Sequence, residues 1–415
     1  VGAVARDTAL LALRCERLVP GTVESWTGDP ALRRHVRSEP RPAPAALAET
    51  ARGLRRAVEF LELSPVRRAY LAGELTALER TARGAAGERV GLAAEIRDTY
   101  GVVVRLGDPD RYREAHRRLA EVLPGAGSVR ARLAALRRAD EVPPELRSRA
   151  IAALLAALRA RTAELMELPA REGVTVELVE NRPWSGFSRP LGGGRSLVRF
   201  SADAPLRAGQ LARLVAHETY PGHHTEHLSR LASRDPERAL SLTRSPRALV
   251  VEGAADLALE AVVGPGWGRW AADVLADVGV CTDGDLAEAL DEAMLPLQHA
   301  RLDAALLAER AGPDAARAHL ARWLLLDDER VERALRFVTD PHWRGYTATY
   351  VVGYPLARAF WAGDPARFRR LVAQPLTPAA LLPPVHGGWA AQPSPGRGAP
   401  ATDGVDHAMS GRPFC

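Results

Sequence analysis

Apolar residues recur at three- and four-residue spacing through nearly all of the first 165 residues, and the pattern gives way only near residue 173, where alternation takes over. A helical period sustained over that length confines the chain to packed helices, because each helix carries an apolar stripe that another element must cover. "PAALAETARGLRRAVEFLELS" and "PPELRSRAIAALLAALRARTAELMEL" show it best, each with Pro at its start, where a helix does not need the amide that Pro lacks. The interruption reads "VTVELVENRPWSGFSRPLGGGRSLVRFSAD". Alternation in VTVELVE and SLVRFS, separated by Pro, Gly and Ser, predicts a small β-hairpin or edge pair. Helical pattern resumes at "APLRAGQLARLVAHETY" and runs to about residue 373. The expected fold is therefore mainly α and multi-helical, with residues 1–165 packing on 166–373 as one continuous domain. Residues 374–415, dense in Pro and Gly, predict a disordered tail.

Composition removes several function classes. All 56 basic residues are Arg, so a Schiff-base lysine, a Walker-type lysine and a lysine general base are excluded. The formal charge is +5, yet the arginines are spread among acids without a basic run, which argues against nucleic acid as partner. No apolar run is long enough to span a membrane. Arg6, Asp7 and Arg14 interrupt the apolar block a secretory leader needs, so a cytoplasmic location is expected. Cys15, Cys281 and Cys415 are odd in number and far apart, which suits neither a disulfide framework nor a cysteine zinc site.

One stretch, "VAHETYPGHHTEH", carries the chemistry. A catalytic zinc takes three protein ligands and keeps a fourth position for water, and a Glu next to the first His can take a proton from that water. His217 and Glu218 suit these roles. The second His is not where an unbroken helix would need it: His224 would lie about 10 Å further along the axis, and His223 about 120° round it. Pro221 and Gly222 predict a kink or bulge that swings one of the two back towards His217. Glu252 and Asp256, four apart on one helix face, offer a third ligand and an acceptor that fixes the tautomer of a ligand His. Glu226 and His227 read as helix-surface or supporting groups. Tyr346 and Tyr350, one turn apart, are candidate oxyanion donors, and Arg344 and Arg358 candidate clamps for a substrate carboxylate.

The order His-Glu, His, then Glu-x-x-x-Asp resembles the gluzincin metallopeptidases, apart from the inserted Pro-Gly. "AHETYPGHHTEH" resembles the H-E-x-x-P-G-H hallmark of the bacterial family called domain of unknown function 885. "VVEGAADLALE" is similar to that family's later E-G segment, and "RGYTATYVVGYPLAR" to its C-terminal G-Q-A-x-S-Y-x-x-G segment. The resemblance covers about 170–360. It implies a zincin-like, mostly helical fold, and it favours His223 over His224 as ligand. The chain departs from the family at Ala254 and Ala255, where an aromatic is usual, and in "LDAALLAERAG", which lacks the His of a D-x-G-x-H element.

The expectation is a hydrolase of a peptide or peptide-like amide, with one zinc per chain on His217, His223 and Glu252. Glu218 would activate the water, and Tyr350 or Tyr346 would stabilise the oxyanion. The alternatives are a metal-binding scaffold with impaired turnover and a different metal-dependent reaction on a natural-product intermediate.

Overall fold

The computed structural model describes residues 2–180, 185–203 and 205–382. Its first part is α1 (Gly2–Leu18), β1 (Val23–Trp26), α2 (Pro30–Ser38), α3 (Pro44–Glu59), α4 (Pro65–Ala85), α5 (Leu92–Tyr100), α6 (Pro109–Val122), α7 (Val129–Ala139) and α8 (Arg147–Leu165). Starts follow local rules. Asp29, Ser64, Asp108 and Ser128 each accept a backbone N–H of the first turn, and α2, α3, α4 and α6 begin at Pro. After it come β2 (Gly173–Val179), β3 (Gly186–Gly192), β4 (Arg195–Ser201), α9 (Ala208–Glu218), α10 (His223–Leu231), β5 (Leu240–Leu242) and α11 (Pro246–Val263). The remainder is α12 (Trp267–Ala276), α13 (Gly284–Met294), α14 (His299–Ala311), α15 (Pro313–Trp323), α16 (Asp328–Thr339), α17 (Thr347–Trp361), α18 (Pro365–Ala373) and α19 (Pro378–Leu381). The molecule is mainly α, as its period demands.

Two small sheets interrupt the helices. β1 pairs antiparallel with β5, Val23 opposite Leu242 and Trp26 opposite Leu240, which ties the N-terminal helices to the segment just before α11. The other sheet has the order β2-β4-β3. Here the structure corrects the expected hairpin: the two alternating runs, β2 and β4, are parallel neighbours, and β3 is the strand antiparallel to β4. β3 reads "GFSRPLG", whose Pro and glycines hide it from an alternation test and suit an edge strand. Gly192, Gly193 and Gly194, all at positive φ, make the turn into β4.

α11 is the spine. Ser245 caps it through the Ala248 N–H, and Leu249, Val250, Leu257, Ala258 and Leu259 are wholly buried. It packs on α9, α17 and α18. Against α17 it lies backbone to backbone: a Cβ on Gly253 would fall 2.2 Å from the Gly353 carbonyl oxygen, and one on Gly353 2.6 Å from that of Leu249. No other residue type fits there, and the contact fixes the register of the two helices.

Of the predicted disordered tail, residues 374–382 are packed, with Leu376 and Leu381 buried and α19 among them. Residues 383–415 of that prediction lie outside the described residues.

Candidate metal centre

The chain does not bend at Pro221; it stops and restarts. α9 ends at Glu218, and the Thr219 hydroxyl and amide both return to the Val215 carbonyl. The Gly222 amide reaches the Ala216 carbonyl at 3.1 Å, and α10 begins at His223. Pro221 cannot supply the amide that would continue α9, which is the local reason for the stop. Gly222 is the close point: a Cβ there would lie 2.0 Å from the His217 carbonyl oxygen. The break thus folds the start of α10 back against the end of α9.

This brings His223 opposite His217, their Nε2 atoms 3.1 Å apart. Glu252 on α11 completes the group, with one carboxylate oxygen 3.6 Å from His217 Nε2 and the other 3.5 Å from His223 Nε2. One ligand atom from each of the three lies within 4.8 Å of the others. Nitrogen and oxygen ligands about 2.05 Å from a tetrahedral zinc stand about 3.3 Å from each other, so the spacing fits such an ion. Asp256 Oδ1 holds His217 Nδ1 at 2.9 Å, which turns Nε2 towards Glu252. The Tyr346 hydroxyl donates to Glu252 Oε1 at 3.0 Å. Next to the first His, the Glu218 carboxylate is buried, and its Oε2 has no hydrogen-bond partner among the described residues. Gly186, at the start of β3, makes room for it: a Cβ there would meet Glu218 Oε1 at 2.6 Å.

The electrostatics describe a site short of positive charge. Burial pushes Glu252 up to about 7, against the pull of His217 and with the push of Asp256. Burial likewise raises Glu218. Burial works against charge on His217, but the hydrogen bond and charge of Asp256, with Glu218 and Glu252 behind it, push that imidazole up to about 10. His223 is lowered by burial and by His217. Three carboxylates converge on two imidazoles, a donor set that a divalent cation would suit.

His224 faces away. Its Nδ1 meets the Ser196 hydroxyl at 2.8 Å and its Nε2 meets Glu172 Oε2 at 2.9 Å, leaving no nitrogen for a metal, so its candidacy as the alternative ligand falls. Glu172 also receives the Tyr220 hydroxyl and Arg159 Nε, and Ser196 also meets His227 Nδ1 at 3.2 Å. This second network clamps both flanks of the break to the sheet. Sequence reasoning missed Glu172, Ser196 and Tyr220; spacing offers no signal for partners 28 to 52 residues away. Glu226, expected near the helix surface, is buried among Arg230, Arg238 and Arg247.

The predicted clamps are not drawn to the cluster. Arg344 binds Glu95 at 2.8 Å and Glu309 at 3.4 Å, linking α5 and α14, while Arg358 pairs with Glu260 at 3.3 Å. Tyr350 packs its ring 5.5 Å from that of Tyr346 and is partly exposed. Burial, with Glu252, Asp256 and Glu218 facing it, holds its phenol well above the ordinary tyrosine range.

No protein-family model matches the chain, and no curated protein is significantly similar to it. A crystal structure of "the putative lipoprotein from Colwellia psychrerythraea" superposes with a TM-score of 0.46 at 16% identity. That superposition covers 81% of this chain and 65% of the other, so the chain spans about two thirds of that protein's length. No helix among the described residues is long and apolar enough to cross a membrane.

Proposed function

We propose that the protein is a zinc-dependent hydrolase of a peptide or peptide-like amide bond. The observation that carries the reading is the tetrahedral-edge spacing of His217, His223 and Glu252 beside the buried, unpaired carboxylate of Glu218. Those three residues would hold one zinc per chain, which when bound supplies Lewis acidity to a water and to the substrate carbonyl. Glu218 takes a proton from the attacking water as its oxygen bonds to the carbonyl carbon, and returns it to the amine nitrogen as the C–N bond breaks. Tyr350 donates to the oxyanion. Asp256 keeps the His217 tautomer, and Tyr346 steadies Glu252. β3 starts at Gly186, beside Glu218, and is an edge strand, so an extended substrate can pair along it. The zincin-like arrangement and the cytoplasmic location belong to the same proposal.

One observation favours the scaffold reading instead: Tyr346 is spent on Glu252, which leaves Tyr350 as the sole tyrosine donor of the pair. Zinc content and hydrolysis of a mixed-sequence quenched peptide library decide between them. Wild type is expected to hold about one zinc and to cleave, while Glu218→Gln keeps the zinc and loses turnover by roughly 10² or more. Zinc-loaded wild type that cleaves nothing would leave the scaffold; Glu218→Gln that loses the metal would make Glu218 a ligand.

A further inference from the structure

An open groove of about 510 Å3 runs between the N-terminal helices and the far end of β3, a size that suits a ligand site. α1 and α2 form one wall, Arg189, Pro190 and Leu191 of β3 the other, and β1 contributes Glu24. Glu24 also lines the narrow cavity that reaches Glu252 and Tyr346, and it acts electrostatically on Glu218 and His223. Glu24 thus borders both the groove and the cavity at Glu252. β3 borders groove and metal cluster alike: Gly186 abuts Glu218, and Arg189 stands about 10 Å along the strand from it, at about 3.3 Å per residue.

The groove is unevenly charged. Four arginines and two glutamates line it. Arg17 is spent on the carbonyls of Val36 and Pro40, and Glu16 on the amides of Gly21 and Val23. What remains is Glu24 at the inner end, held by the Ser241 hydroxyl, against Arg33, Arg37 and Arg189. None of these three side chains forms a hydrogen bond or ion pair among the described residues. Guanidinium groups without partners, on the wall of a groove bordered by the strand whose first residue abuts Glu218, match carboxylates on an extended chain.

We infer that this groove selects peptide substrates bearing Asp or Glu about three residues from the scissile bond, bound along β3 with those carboxylates on Arg189, Arg33 and Arg37. The inference rests on the hydrolase reading and adds the substrate class to it. The test is fluorescence anisotropy with zinc-loaded full-length Glu218→Gln and two short labelled peptides, identical but for Asp against Asn at the third position and beyond. The Asp peptide is expected to bind about tenfold tighter at low ionic strength, the sum of two or three exposed ion pairs, with the advantage shrinking in high salt. Arg189→Ala combined with Arg33→Ala and Arg37→Ala should erase the preference without changing zinc content. The corresponding Glu substitutions should turn it towards a Lys peptide. Equal binding of the two peptides, binding of neither, a preference that survives the triple variant, or binding of a single-stranded oligonucleotide in place of the peptide overturns the inference. Wild type that cleaves both peptides without preference sinks the groove and spares the hydrolase. Arg-dependent selection of the Asp peptide by a wild type that cleaves nothing does the reverse.

Discussion

His223 and His224 are adjacent in the chain and sit in buried clusters of the same residue types, yet the two clusters are finished differently. Around His224 both ring nitrogens are matched, by Ser196 and Glu172, and Glu172 is in turn matched by Tyr220 and Arg159. Around His223 the matching stops short: two imidazole nitrogens face each other across a carboxylate, and the neighbouring Glu218 has a buried oxygen with no donor. A closed network holds a fold together, because every buried polar group has recovered what it lost on leaving water. An open one leaves polar atoms that the proposed zinc would match. The difference separates a clamp from a site where residue type alone does not.

The sharpest way to break the comparison is to remove each histidine in turn. His223→Ala should take zinc content from about one per chain to near zero while leaving the fold in place. His224→Ala should keep most of the zinc and cost about 1–3 kcal/mol of stability, since Glu172 and Ser196 lose a buried partner. Elemental analysis and urea midpoints on the two proteins settle it, and the reverse pattern would mean that the roles are exchanged.

Gly222→Ala tests whether the break itself is part of the open cluster. Its new methyl would collide with the His217 carbonyl 2.0 Å away, in backbone that cannot swing aside. Zinc affinity should fall at least tenfold, with a stability loss of about 1–3 kcal/mol typical of overpacking. Unchanged zinc binding would show that the restart of α10 tolerates displacement and that the cluster is less tightly placed than its distances say.

The smallest effect lies outside both clusters, at Glu226, two residues beyond His224. Although burial alone would raise Glu226, the arginines at 230, 247 and 238 hold it down at about 2. A carboxyl whose folded value lies below its unfolded one, ordinarily about 4.5, stabilises the protein above that pH and loses the contribution as pH falls towards 2. Acid unfolding should therefore steepen between those values, and Glu226→Gln should remove that part of the pH dependence. A variant with the same acid profile as wild type would show that the arginines do not act through Glu226.

The helical architecture was legible because a 3.6-residue period survives along most of the chain. His217, Glu218, Glu252 and Asp256 were legible too, since each pair sits within one helix, where spacing determines geometry. Spacing left the choice between His223 and His224 open, and only the family resemblance favoured His223, because the geometry depends on the path of Thr219–Gly222, outside any regular period. β3 escaped for want of alternation. Arg344 and Arg358 were read as clamps for a substrate carboxylate, whereas their partners are Glu95, Glu309 and Glu260, one of them on α5, far away in the chain. Local rules reach as far as an element extends, and the rest belongs to packing.

The Gly253–Gly353 contact has a consequence for how such a protein can diverge. The distance between the helix that carries Glu252 and the helix that carries Tyr350 is set by two absent side chains, and evolution can alter an absent side chain only by adding one. No graded series of substitutions leads away from it: the first step already forces the backbones apart and strains the Tyr346–Glu252 hydrogen bond made where that second helix begins. On the proposed function, variation in substrate would be confined to surfaces where side chains can be exchanged one at a time, such as the wall formed by β3 and α2, while the placing of Glu252 against α17 stays fixed.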